Sequence, residues 1–141
     1  MIYPKHIALI PDGNRTRAKE NWLPQIIWHM EWTKTVNNLV KYIFSNTPIK
    51  VFTVWWLSSE NLKERSQEEL DYLFDIYKSF NNDMFEFLAE KKVNMRWIWN
   101  RNWLPQHLLD FLDNKHKELS FDTDQHLVLA INYGWRDELV R

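Results

Sequence analysis

The chain has 141 residues, 45% of them hydrophobic and 26% charged, with a formal net charge of −1. That length makes one ordinary domain with a sizeable core, and the balanced charge excludes a general nucleic-acid binder. The absence of Cys excludes a disulfide framework and Cys-ligated metals. Met1-Ile2-Tyr3-Pro4-Lys5 runs straight into an apolar stretch, so no signal peptide is expected. No apolar run reaches transmembrane length. The expectation is a soluble or membrane-peripheral protein, read as a single domain over residues 1–141.

In chain order, residues 7–10 read as a short buried strand, apolar on both faces. Pro11 ends it, and Gly13 permits the turn that follows. The stretch Pro11-Asp12-Gly13-Asn14 then opens into Arg15-Thr16-Arg17-Ala18-Lys19, a basic segment with helical character. A strand, a tight turn and a helix N-terminus together make an anion site, since free N–H groups point outward. Asp12 adds a carboxylate that could hold a divalent cation, and the combination suits a diphosphate with Mg²⁺. An ordinary βα turn with a surface aspartate explains this stretch about as well.

Residues 26–44 carry apolar side chains at helical spacing, and Asn46-Thr47-Pro48 breaks that helix. Residues 50–57 form a β-branched and aromatic run, a second strand, ending in the polar loop Ser58-Ser59-Glu60-Asn61. Ser66 with Glu69 makes a capping box, and Leu70 to Leu88 mark one face of a long amphipathic helix. Strands follow at 93–99 and 127–131 with a helix at 105–119 between them, and Arg136 to Leu139 starts a further helix. Strands separated by helices imply βαβ units: an α/β fold with a mainly parallel sheet flanked by helices. Ligands bind beyond the carboxyl ends of such strands, so Asp12, Ser58 to Asn61, Asn100 and Asn132 should meet on one rim.

The composition has one anomaly: nine Trp against two Gly, where average usage of ~7% would give about ten Gly. Trp22 precedes Leu-Pro, Trp28 and Trp32 sit one turn apart beside His29, and Trp135 follows Tyr133-Gly134. Glycine would be expected at such points.

His6 through Asn14, His29, Ser58-Ser59-Glu60-Asn61 with Arg65 and Glu69, and Asn132-Tyr133-Gly134 with Arg136-Asp137 resemble the cis-prenyltransferase family, which includes undecaprenyl diphosphate synthases. The resemblance spans essentially the whole chain in order and spacing. It implies an undecaprenyl diphosphate synthase-like fold with its C-terminal part missing. The implied activity is transfer of prenyl groups: isopentenyl diphosphate is condensed with an allylic diphosphate in Z-type elongation to a polyprenyl diphosphate. It further implies Mg²⁺, a homodimer when full length, a cytoplasmic site with peripheral membrane contact through the lipid product, and no nucleic-acid partner.

By the same resemblance, Asp12 is the Mg²⁺-linked catalytic aspartate, and Gly13, Asn14, Arg15, Thr16 and Arg17 form the diphosphate-binding turn. Gln25 and His29 contact the same substrate; Ser58, Ser59 and Glu60 line the reaction centre; Asn61 helps remove the proton; Leu62 and Arg65 complete the loop. Several positions depart from the pattern: Thr16 and Gln25 stand where relatives have Arg, Arg17 and Leu62 where they often have Trp, and Glu64 competes with Arg65 for one motif position. The family's later segment, which supplies the isopentenyl diphosphate site, has no counterpart before Arg141, so the chain reads as a fragment. Two alternatives are a non-catalytic partner subunit of the same fold and an unrelated phosphate-binding α/β hydrolase. The family carries Gly at or near Trp22, Trp28, Trp32, Trp56, Trp99, Trp103 and Trp135, so a UGA codon read as Gly in the native host is the expected single cause.

Overall fold

The computed structural model describes residues 2–11, 25–80, 82–102, 104–134 and 139–140; the side chains of residues 25, 26, 28, 29, 61, 76, 77, 79, 80 and 99 fall outside that description. Four strands, β1 (His6–Leu9), β2 (Val51–Ser58), β3 (Asn94–Trp99) and β4 (His126–Tyr133), form one sheet in the order β1-β2-β4-β3. Every pairing is parallel, as the alternation of strand and helix signals predicts.

The helices are α1 (Gln25–Asn46), α2 (Ser59–Glu64), α3 (Gln67–Phe80), α4 (Asn82–Lys91) and α5 (Gln106–Glu118). One expectation changes: the predicted polar loop after β2 is the short helix α2, with Ser58 still inside the strand. The helix expected over 66–88 is described as α3 and α4, on either side of residue 81, which lies outside the described residues.

Strand register puts Ile7 and Leu9, Phe52 and Val54, Leu127 and Leu129, and Met95 and Trp97 on one face. This face meets Val36, Val40 and Ile43 of α1, Leu70 and Phe74 of α3, and Met84 and Leu88 of α4 in one buried cluster. The amphipathic stripes of three helices are thus spent on one side of the sheet.

α5 lies along the outer edge of β3. The Met95 N–H donates to Leu119 O at 3.0 Å, and Trp97 Nε1 donates to Leu112 O at 3.1 Å. The end of α4 is closed without glycine: Lys92, at φ 56°, donates its N–H to Ala89 O, and Val93 donates to Leu88 O. That is a Schellman arrangement, with Leu88 and Val93 both fully buried as its apolar contact.

Candidate active site at the carboxyl ends of the strands

The carboxyl ends of β2, β3 and β4 are fastened together by Asn132. It is 3% exposed and sits at φ 49°, a left-handed conformation that Asn tolerates better than most residues. Its Nδ2 donates to Asn100 O at 2.8 Å and to Asn102 O at 2.7 Å. Its carbonyl accepts from Ser59 Oγ at 3.1 Å and from the Asn100 N–H at 3.4 Å. One side chain and one carbonyl therefore tie the end of β4 to the segment after β3 and to the first residue of α2.

The same rim carries two compensating bulges. Trp55 pairs with Ala130 and Leu57 with Ile131, so Trp56 is an extra residue in β2; Ser58 then pairs with Tyr133, which makes Asn132 the extra residue in β4. Bulges bend strands and re-aim side chains, and they are common beside active sites. Here they bring Ser58 and Ser59 up against Asn132. Trp55 Nε1 donates across to Tyr133 O at 3.3 Å, which holds the two strand ends in register beyond the shift.

Of the residues singled out in the sequence, Ser58 ends β2 half-buried, Ser59 starts α2, and Glu60 is exposed in the first turn of that helix. Leu62 is 8% exposed and belongs to the core. Arg65 follows α2; its guanidinium lies 3.5 Å from the Glu69 carboxylate, with side chains 8% and 26% exposed. Ser66 Oγ accepts the Glu69 N–H at 3.2 Å, the first half of the predicted capping box, while the Glu69 carboxylate faces Arg65. Gln25 and His29 lie at the start of α1, and Asn61 within α2, with side chains outside the description. Asp12, Gly13, Asn14, Arg15, Thr16 and Arg17 lie outside the described residues; β1 ends at Leu9, and Ile10 and Pro11 lead toward them.

Two arginines near the described rim are ion-paired. Arg65 is paired with Glu69, and Arg101 makes a two-pronged contact with Asp113, at 2.8 and 3.4 Å. The hydrogen bond to Asp113 raises the Arg101 pKa further above its ordinary value. Stability tied to a raised pKa is lost only as pH climbs through it, so Arg101 gives no pH dependence near neutrality. No group of three His, Cys, Asp or Glu among the described residues could hold a metal. Sequence reading named Asn100 and Asn132 for this rim but missed Asn102, whose carbonyl enters only because β4 bulges. No sequence signal announces that.

A family model described as "Putative undecaprenyl diphosphate synthase" matches residues 10–141. The chain belongs to this family. It is 36% identical over 137 residues to an isoprenyl transferase of Bacillus anthracis, covering 97% of this chain and 52% of that one. It is 38% identical over 146 residues to an isoprenyl transferase of Chlamydia caviae, covering 98% and 56%. Lavandulyl diphosphate synthase from Lavandula x intermedia, solved in complex with dimethylallyl diphosphate, superposes with a TM-score of 0.87 at 29% identity, covering 97% and 58%. The chain thus spans about half the length of the curated relatives it matches. No helix among the described residues is long and apolar enough to cross a membrane.

Proposed function

We propose that the whole protein is a Mg²⁺-dependent isoprenyl transferase that condenses isopentenyl diphosphate with an allylic diphosphate by Z-type elongation, working as a cytoplasmic homodimer with peripheral membrane contact. The observation that carries this reading is the rim: Ser58 and Ser59 are held against Asn132 beside the strand that runs into Pro11-Asp12. Family membership supports prenyl chain elongation. The dimethylallyl diphosphate in the lavandulyl relative supports an allylic diphosphate as the first substrate.

In this reading Arg15 and Arg17, with the N–H groups of Gly13, Asn14 and Thr16, bind the departing diphosphate, and Gln25 and His29 reach it from α1. Arg65 and Arg101 are already ion-paired, which favours the 12–19 segment as a source of cationic donors. Mg²⁺ keeps several waters and takes one or two carboxylates plus substrate phosphates, so Asp12 with the diphosphate is a chemically adequate donor set. When bound, the metal offsets the charge that gathers on the leaving diphosphate. Ser58, Ser59 and Glu60 line the reacting carbons, and Asn61 assists proton removal. Leu62 and Arg65 fix that segment, one by burial and the other by its ion pair. The residue of the family's later segment are needed for the second diphosphate, so the 141-residue stretch alone should turn over little.

The test is incorporation of labelled isopentenyl diphosphate onto farnesyl diphosphate by the whole protein, with and without Mg²⁺. Activity should need the metal and vanish in Asp12→Ala; undiminished incorporation by that variant would remove Asp12 from the metal role.

The same reading includes UGA recoding at the seven Trp positions named above, which would leave two Trp and nine Gly. Two observations support it. Trp32 and Trp56, far apart in sequence, meet edge to face with ring centroids 4.8 Å apart, where a helix approaches a bulge. Small residues normally allow such close helix–strand approach. By contrast Trp55 and Trp97, taken as authentic, each donate an indole hydrogen bond to a backbone carbonyl. Mass spectrometry of the native protein decides it: Trp at residues 32 and 56 would end the proposal.

A further inference from the structure

The amide nitrogen and the backbone carbonyl of Asn132 are both fully used. Both hydrogens of Nδ2 are given away, one to Asn100 O and one to Asn102 O, and an amide nitrogen has no others. The carbonyl accepts from Ser59 Oγ and from the Asn100 N–H, which occupies both of its lone pairs. As the extra residue of its bulge, Asn132 has no opposite residue in β2, and its carbonyl turns to these two partners instead. Buried as it is, Asn132 offers no surface to a ligand. Any influence it has on a substrate passes through the residues it holds.

Ser59 is the one that faces the reaction centre. A carbonyl only accepts, so the single hydroxyl proton of Ser59 lies toward Asn132 O. Ser59 cannot at the same time donate that proton to a substrate oxygen. It also opens α2, a helix of six residues. Helices shorter than ~12–15 residues are marginal in water, so α2 takes its place from its anchors. Leu62 fixes its middle in the core, and Arg65, just past its end, is paired with Glu69. The hydroxyl bond to Asn132 is a third anchor, at the amino end. Ser58, Glu60 and Asn61 are the residues next to that anchor in the chain.

We propose that Asn132 is a positioning residue for prenyl transfer: acting through Ser59, it fixes the amino end of α2 and so sets where Ser58, Glu60 and Asn61 meet the reacting carbons. The proposal rests on the prenyl-transfer reading above and adds a division of labour to it. Ser59 places its neighbours and gives no hydrogen bond to the diphosphate. Placement of this kind is felt in kcat, because a misplacement of about 1 Å at the reacting atoms costs on the order of 100-fold.

Steady-state kinetics of the whole protein with labelled isopentenyl diphosphate, joined to amide exchange, test it. Ser59→Ala should lower kcat by about 10–100-fold and leave KM for the allylic diphosphate within about twofold. Ser59→Thr keeps the hydroxyl and should bring kcat back to within about threefold of the parent. Exchange of the amides of residues 60–64 should quicken by about tenfold in Ser59→Ala and stay at the parent rate in Ser59→Thr. Asn132→Gly keeps the carbonyl and suits φ 49° but drops both Nδ2 bonds, so kcat should fall again at unchanged KM. Combined with Ser59→Ala it should fall little further, since both changes break one linkage. An unchanged kcat in either single variant overturns the proposal, whatever the exchange shows. A raised allylic KM at full kcat overturns it by making the hydroxyl a substrate ligand, and lowered kcat with unchanged exchange does so by giving the hydroxyl a chemical role. Failure of Ser59→Thr to restore the rate is equally fatal. An inactive parent protein refutes prenyl transfer itself and this role with it, whereas an active parent with an indifferent Ser59→Ala refutes the positioning role alone.

Discussion

Replacing Asn132 with alanine probes the fastening of the strand ends. The substitution removes the Nδ2 donor that serves Asn100 O at 2.8 Å and Asn102 O at 2.7 Å, and leaves at φ 49° a residue that tolerates the left-handed region less well than asparagine. A carbonyl left without its donor in a buried site costs ~1–3 kcal/mol. Asn102 is exposed, so water can replace one of the two partners. The left-handed conformation adds ~1–2 kcal/mol for alanine. The expected loss is roughly 2–5 kcal/mol, a large part of a usual total of ~5–15 kcal/mol. With a urea dependence of ~1–3 kcal/mol/M, the midpoint falls by on the order of 2 M. Asn132→Gly removes the conformational part alone and should recover about 1 kcal/mol of the loss. Urea unfolding followed by far-UV circular dichroism measures all three proteins. A loss below about 1 kcal/mol in Asn132→Ala, or no recovery in Asn132→Gly, would refute the account of this residue.

Lys92→Gly should stabilise the chain by about 1 kcal/mol, because a left-handed C′ position suits glycine and the Schellman hydrogen bonds use only backbone atoms; a lowered unfolding midpoint would contradict this. Glu69→Ala should cost roughly 1–3 kcal/mol, since it leaves the largely buried Arg65 without its carboxylate, and the quarter-exposed Glu69 keeps the cost below that of a fully buried pair. The helix cap survives that change, as Ser66 binds the Glu69 N–H, so α-helical signal should be retained. Trp32→Gly with Trp56→Gly separates the two histories of the indole pair. Native core tryptophans would cost ~3–5 kcal/mol each on truncation, whereas glycine-bearing native positions would leave the double variant as stable as the parent or more so.

The parallel sheet was legible because β-branched runs and helical stripes alternate along the chain, and the rim followed from the rule that ligands sit beyond parallel strand ends. Ser58, Asn100 and Asn132 come together there as expected. What remained hidden is local and cooperative. Nothing in Trp55-Trp56-Leu57 announces an extra residue, because a bulge is set by how two strands meet and not by either alone. The same holds for α2: Ser, Glu and Asn suit a loop or a first helical turn equally well, and the anchoring of Ser59 to Asn132 comes from a strand more than 60 positions later in the sequence.

The indole pair links composition to function. Among the described residues, positive φ at a non-glycine position occurs at Lys92 and Asn132, so Trp32 and Trp56 keep ordinary backbone geometry. Glycine would contribute room there, not conformational freedom. Both rings pack against the core, and Trp56 lies two residues before Ser58. Removing them opens apolar space between α1 and the carboxyl end of β2, on the side of the sheet where the helices gather. In the reading proposed above, an isoprenoid chain would need such a space next to the diphosphate site. A chain adapted to do without glycine would use Asn or Ala at tight positions; the bulkiest residue at two touching positions has no such rationale. The sign of the stability change in the double variant therefore bears on two matters together: which residue the native codon specifies, and whether the site has room for the lipid that the family elongates.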